Sequence, residues 1–312
     1  MANSNIDQIK ENETSFNNEV DLMDIFWVLW NKKIFISGLT SFIAALAIIY
    51  ALSLTNYYRS ESLLIGVNSQ GSSSLSQYSG LASLAGISLP SSGTDPVIEV
   101  MEIVQSREFV RHLITFEGIL PAIMAAKSYN YATKEIVFDS EAYDKDTGSW
   151  LREANANRAS KPSYLEAYEK YLGMVSISQD IKTGLVSISV EHVSPVFSKY
   201  FLNLIIKEAN NLKRANDIEM SDKALSYLKQ EVSRTSLTEI KESIYRLMEA
   251  QLEKKMMANI NEQYSLMILE PPFVPEERFK PSRSLIVIIL TAIGGVISCF
   301  IVLIRHYFFK KK

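Results

Sequence analysis

The chain has 312 residues, 47% of them hydrophobic, a net charge of −3 and a single cysteine. That length holds one or two domains, and the mildly negative balance supplies no basic face for nucleic acid. The lone Cys299 excludes a disulfide framework and any metal site built on paired cysteines.

Residues 1–33 read as a tail followed by an interfacial segment. Residues 1–19 carry almost no large apolar side chain, a composition that supports no core. Val20 to Trp30 is dense in apolar residues, with Asp21 and Asp24 on one helical side. This suits a helix lying in the headgroup layer; a docking site for a cytoplasmic partner is the alternative. Residues 34–54 are 21 consecutive residues without a charge, about 30 Å of helix and enough to cross a bilayer. The run starts too late and is too long for a cleavable signal, so it reads as a retained transmembrane helix.

Residues 55–283 form the region between two spans. Tyr58 to Val67 reads as a strand. Gln70 to Gly86 is a small-residue loop, of a length that is functional or disordered in most domains. Gly66 and Gly71 have phosphate-loop spacing, but Ser72 stands where the essential Lys would be, so no nucleotide site follows. Asp95-Pro96 opens a helix as N-cap and first residue. Its stripe of Val97, Val100, Met101 and Val104 continues past Ser106 in Phe109, Leu113, Ile114 and Phe116. Residues 139–163 read as a polar insert, and Pro162-Ser163 precedes a short helix carrying Leu165, Tyr168 and Leu172. Val175, Ile177 and Ile181, then Val186, Ile188 and Val190, alternate with polar residues across a Gly184 turn, the pattern of a hairpin with one buried face.

Ser194-Pro195 begins the longest helix, whose stripe is Val196, Phe197, Tyr200, Phe201, Leu204, Ile205, Ala209 and Leu212. Beyond it the apolar pattern thins to a seam of Ile218, Leu225 and Val232, with Leu228 between. That predicts a helix leaving the packed domain to pair with a returning one. Ser236-Leu237-Thr238-Glu239 matches a capping box, and Leu237, Ile240, Ile244, Leu247 and Met248 line the helix that follows, to about Ile260. Residues 195–260 thus form a long helical arm. Tyr264 to Leu269 reads as a last strand, and Pro271, Pro272, Pro275 and Pro281 restrict the backbone beyond it into a semi-rigid coupling segment.

Residues 284–304 are a second uncharged run of 21, and 305–312 a basic tail. Gly294, Gly295 and Ala292 offer a small-residue face toward Gly38, Ser41, Ala44 and Ala45 of the first span. Six cations lie near the membrane on the terminal side (Lys32, Lys33, Arg305, Lys310, Lys311, Lys312) and four on the loop side (Arg59, Arg278, Lys280, Arg283). Both termini are therefore placed in the cytoplasm. His112, His192 and His306 stand alone, with no metal-ligand spacing and no hydrolase or nucleotide motif. No catalytic residue, metal or cofactor is expected.

Several stretches in order carry a resemblance. They are Val20-Asp21-Leu22, Gly80-Leu81-Ala82-Ser83-Leu84-Ala85-Gly86, Ser178-Gln179-Asp180 to His192, and Glu270-Pro271-Pro272-Phe273-Val274-Pro275 leading to Pro281-Ser282-Arg283. Together the chain resembles the Wzz-type polysaccharide chain-length determinants, or co-polymerases, of the bacterial inner membrane. The resemblance implies an α+β membrane protein, with two terminal transmembrane helices flanking a periplasmic α/β base and a long projecting arm. It further implies a homo-oligomeric ring that sets the modal length of a surface polysaccharide, typically O-antigen lipopolysaccharide, beside a separate membrane polymerase acting on a lipid-linked chain. Relatives serving capsule export continue into a tyrosine-kinase domain. This sequence ends at Lys312, so a capsule or exopolysaccharide role would need a separate kinase. The rival classes are a two-span sensor or adaptor and a membrane-anchored enzyme of envelope assembly.

Overall fold

The computed structural model describes residues 22–67, 96–154 and 159–309. In chain order the elements are α1 (Leu22–Asn31), α2 (Lys33–Ser53), β1 (Tyr58–Gly66), α3 (Pro96–Gln105), α4 (Arg107–Leu113) and α5 (Ile119–Ala125). Next come β2 (Ala126–Asn130), β3 (Glu135–Phe138), β4 (Tyr143–Asp144), β5 (Ser149–Trp150), α6 (Tyr164–Met174), β6 (Val175–Gln179) and β7 (Leu185–His192). The last are α7 (Pro195–Arg234), α8 (Thr238–Ile260), β8 (Leu266–Glu270) and α9 (Arg283–Phe309). They fall into two compact units, Thr55–Lys280 and Met1–Leu54 with Pro281–Lys312. The expected loop at 70–86 and the Asp95 cap lie outside the described residues.

The larger unit rests on an antiparallel sheet in the order β6-β7-β1-β8. Side chains alternate faces along a strand, so Tyr58, Ser60, Ser62 and Leu64 share one face with their partners His192, Val190, Ile188 and Val186. All eight are buried. At the end of β1, a Cβ on Gly66 would collide with the Val97 side chain of α3. Its glycine serves close strand–helix approach.

The β6–β7 turn closes through Gly184, whose φ of +72° suits glycine. Ile181 sits at its tip, 98% exposed, and does not extend the buried stripe. Asp180 accepts the Lys182 amide on its own side chain, which ends the strand at Gln179 and opens the turn.

Ser106 caps α4 by accepting from the Phe109 amide. Ser163 and Glu166 form a capping box on α6, and Arg152 grips the Glu166 carboxylate through both terminal nitrogens. The inward face of α6 is Ala167 and Tyr171; Leu165 and Leu172, read as its stripe, are exposed. Tyr171 buries its ring because its hydroxyl can donate to the Val104 carbonyl at 3.0 Å. The insert at 139–163 holds a short hairpin, β4 with β5, and β2 pairs with β3 just before it. Tyr143 lies opposite Trp150 with ring centroids 5.0 Å apart, a cross-strand contact that stabilises a two-residue ladder.

The sequence stripe on α7 is also corrected. Phe197, Phe201, Ile205, Ala209, Lys213, Asp217 and Ser221 are buried, stepping by four, beside a second ridge of Ser198, Leu202, Ile206 and Asn210. Val196 and Tyr200 lie outside these ridges and are exposed. A step of four advances beyond a full turn of 3.6 residues, so the buried face winds around the helix. α7 spans about 60 Å at 1.5 Å per residue, and α8 packs back along it. The predicted capping box at Ser236 does not form. Leu237 is the N-cap of α8 and no side chain caps it.

In the smaller unit α2 and α9 pack against each other, and α1 also touches α9. Lys33–Ser53 and Arg283–His306 are each long and apolar enough to cross a membrane.

Candidate functional site

Three places hold the chain's elements together, and the second and third contain residues singled out from the sequence. The first is an ionic node on α7, where its buried ridge changes from apolar to polar. Lys213 Nζ lies 2.8 Å from Asp217 Oδ1 and 2.5 Å from Glu99 Oε2 of α3. Asp217 also takes Lys254 of α8 at 3.0 Å and the Tyr264 hydroxyl at 3.0 Å. One turn before Lys213, Asn210 Oδ1 accepts from the Ser265 and Leu266 amides while its amide nitrogen donates to the Leu266 carbonyl. Four elements, α3, α7, α8 and the start of β8, are thereby joined.

Electrostatics explains why these charges are tolerated. Burial works against the charged form of Lys213, but the Asp217 and Glu99 carboxylates outweigh it and hold its pKa above the ordinary value. Burial likewise works against the Asp217 carboxylate, yet Lys213 and Lys254 hold its pKa below the ordinary value. The Tyr264 hydroxyl is pushed up by burial and by the adjacent Asp217 charge. A paired and hydrogen-bonded buried charge is tolerated where a lone one is not.

Sequence reasoning overlooked this node, because it followed hydrophobicity alone along α7. Ile218, Leu225, Leu228 and Val232 are each half-buried, while the inward positions beside them are Lys213, Asp217 and Ser221. A recognisable signal was present. Lys213 and Asp217 stand four apart with opposite sign, in register with the apolar four-step ridge that precedes them.

The second place is the end of the sheet. Pro271 and Pro272 cannot donate to a strand ladder, and β1–β8 pairing stops at Leu63 opposite Glu270. Serine side chains continue it. Ser62 Oγ donates to the Glu270 carbonyl and Ser60 Oγ to the Phe273 carbonyl, both at 2.7 Å. Backbone bonds resume where the Tyr57 amide meets the Lys280 carbonyl at 2.9 Å and the Phe279 amide donates to Tyr57 at 2.8 Å. Pro272 and Pro275 are buried in this segment, whereas Pro271 is exposed. Pro281 is half-buried and belongs to the smaller unit.

The third place is the α2–α9 contact. A Cβ added to Gly294 would come 2.6 Å from Ile43 Cγ2, and Gly295 faces Thr40. Thr40 Oγ1 and Ser298 Oγ are hydrogen-bonded at 3.0 Å. Ala47, Ala51 and Val302 are buried. Gly38 has no neighbour within 4 Å of where its Cβ would stand. Ala292, Ser41 and Ala45 are exposed. These four do not join the contact, whose seam passes instead through Thr40, Ile43, Gly294 and Ser298.

Of the three histidines, His192 is fully integrated into the base. Its Nε2 donates to the Ala122 carbonyl at 3.0 Å and its Nδ1 accepts from the Ser194 amide at 3.0 Å, which fixes a neutral ring. Burial pushes its pKa down to about 4. His112 Nε2 lies 2.7 Å from Glu208 Oε2 on α7. Among the described residues no group of three or more His, Cys, Asp or Glu is placed to hold a metal ion.

A family model described as "Wzz: Chain length determinant protein" matches residues 18–115, which bears out the resemblance drawn from the sequence. No curated protein matches the chain. Among solved structures, a full-length bacterial polysaccharide co-polymerase aligns over 94% of this chain and 99% of its own, at 13% identity and a TM-score of 0.39. A fragment of WzzB, a polysaccharide co-polymerase from Salmonella Typhimurium, aligns over 72% of this chain and 100% of its own, at 12% identity and a TM-score of 0.25.

Proposed function

We propose that this chain regulates the length of a surface polysaccharide, the O-antigen of lipopolysaccharide, as an oligomeric co-polymerase beside a separate membrane polymerase. The observation that carries the reading is the chain-length-determinant match over residues 18–115, which takes in the first of the two apolar helices. In this reading α2 and α9 cross the inner membrane, both termini are cytoplasmic and Thr55–Lys280 lies in the periplasm.

The regulator acts by position and forms no covalent bond with the sugar. Copies associate through α7 and α8, and the resulting ring holds the polymerase and limits the repeats added to the lipid-linked chain before release. Exposed apolar residues on α8, among them Tyr245, Leu247, Leu252 and Met256, offer a surface that assembly would cover. The node at Asp217 keeps α7 and α8 in register where they leave the base, and the serine-bonded segment after β8 fastens the unit's exit beside its entry at Tyr57.

The test is the length distribution of the polysaccharide on a lipopolysaccharide gel, in a deletion strain and after complementation. Loss of a modal band on deletion and its return with the gene support the reading. A distribution that deletion leaves unchanged refutes it.

A further inference from the structure

We propose that the corner between α1 and α2 is a binding site for an anionic phospholipid, with the acyl chain in a groove and the phosphate on a cluster of cations. The proposal rests on the reading that α2 and α9 cross a membrane. The helix is interrupted at Lys32, whose amide bonds back to Leu29 at 3.2 Å, and α2 begins at Lys33. A groove of about 430 Å³ opens at that junction, with Phe26, Leu29 and Trp30 contributed by α1 and Ile36, Ser37, Thr40 and Ser41 by α2. Its lining surface is mostly apolar, with the hydroxyls of Ser37, Thr40 and Ser41 and the cation of Lys33, a mixture that suits an acyl chain beside an anionic headgroup.

The charges converge at one level. Thr40 sits against Ser298, and Ile43 against Gly294. At the opposite end of the pair Arg283 Nη2 donates to the Leu54 carbonyl, so the two helices run antiparallel. Lys33 is seven residues before Thr40 and Arg305 is seven after Ser298, which places both at the same height with Lys32 adjoining. Lys32, Lys33 and Arg305 are exposed. Among the described residues none of the three forms a salt bridge with a carboxylate. Lys33 Nζ instead lies 4.7 Å from the centre of the Trp30 ring, which holds the ammonium against the groove's own lining. Trp27 and Trp30 are more than half exposed. Amphipathic indoles favour the headgroup layer, and basic pockets beside membrane helices favour anionic headgroups there. At the opposite end of the helix pair Arg283 is the one cation among the described residues of the smaller unit, and it is committed to the Leu54 carbonyl.

The test uses the full-length protein in nanodiscs, with Trp27→Phe and Trp150→Phe leaving Trp30 as the only tryptophan. Phosphatidylglycerol and phosphatidylcholine carrying brominated acyl chains are compared at equal mole fraction. The expected result is Trp30 quenching clearly stronger with the brominated phosphatidylglycerol. Lys32→Gln/Lys33→Gln/Arg305→Gln should weaken the preference by about tenfold or more, each cation near the surface being worth several-fold. Lys310→Gln/Lys311→Gln/Lys312→Gln and excess soluble glycerol 3-phosphate should leave it in place. Equal quenching by the two lipids overturns the proposal, as does loss of the preference in the tail variant or on adding glycerol 3-phosphate. Quenching by neither lipid, together with release of the protein from membranes by alkaline carbonate, overturns it by removing the membrane reading itself. Should the tryptophan substitutions impair folding, native mass spectrometry of the otherwise unaltered protein reads the same preference as retained phosphatidylglycerol.

Discussion

Asp217 Oδ2 accepts the Tyr264 hydroxyl at 3.0 Å while Oδ1 of the same carboxylate holds Lys213 and Lys254. Asp217→Asn would leave Lys254 facing a neutral amide and Lys213 with Glu99 alone, so the loss should lie below the roughly 3–5 kcal/mol that a wholly uncompensated buried charge costs. The denaturation midpoint of the full chain should fall accordingly, with hydrogen exchange accelerated at Tyr264 to Glu270. Asp217→Glu keeps the charge and should recover part of the loss. Since the folded carboxylate titrates below its ordinary value of 3.8, its contribution is complete above that pH. It is lost as the pH falls through the folded value.

His192 predicts a different acid window. Its pKa of about 4 lies below the unbound 6.5, so between those values the unfolded chain takes up a proton that the folded chain refuses. Stability therefore falls as the pH drops from 6.5 to 4, by about 2 kcal/mol between pH 7 and pH 5. Urea unfolding of the wild type and of His192→Gln at the two pH values checks this. The variant should be less stable at pH 7 but lack that part of the pH dependence.

What could be read from the sequence follows from what hydrophobic periodicity encodes. Val186, Ile188 and Val190 alternate with serines, and all three are buried on the sheet face the alternation assigned. The same logic failed on α7, where burial follows shape and charge pairing. Lys213 and Asp217 go inward and Tyr200 stays outside because the four-step ridge turns them there. Hydrophobic periodicity says nothing of Ser60 and Ser62, whose buried hydroxyls donate to the Phe273 and Glu270 carbonyls where the strand ladder stops. On α2 the small residues Gly38 and Ser41 are passed over for Thr40 and Ile43, since a contact seam depends on which face meets α9.

The α2–α9 seam can be tested by size. Gly294→Leu forces a side chain into Ile43, and overpacking costs about 1–3 kcal/mol. Disulfide crosslinking between Thr40→Cys and Ser298→Cys, in a Cys299→Ser background, should proceed readily in the parent and poorly with Gly294→Leu. Ile43→Ala should restore it by vacating the space. Gly38→Ala, which has open surroundings, should leave crosslinking unchanged.

The arm predicts an effect on the product itself. Leu225 and Leu228 are half-buried on α7 where it packs with α8, and Ile244 of α8 is buried. A carboxylate at either leucine must be desolvated or must separate the helices, and among the described residues neither position has a buried cation beside it like the Lys213 that balances Asp217 nearer the base. Leu225→Glu and Leu228→Glu should therefore loosen α8 without reaching the sheet, whose core lies around Leu64, Ile188 and Phe201. Under the co-polymerase reading this changes the number of copies in the assembly or broadens the sugar-length distribution, while the base keeps its thermal transition. Native mass spectrometry and a lipopolysaccharide gel read the two effects. Unchanged copy number together with an unchanged length distribution in both variants would remove α7 and α8 from the mechanism.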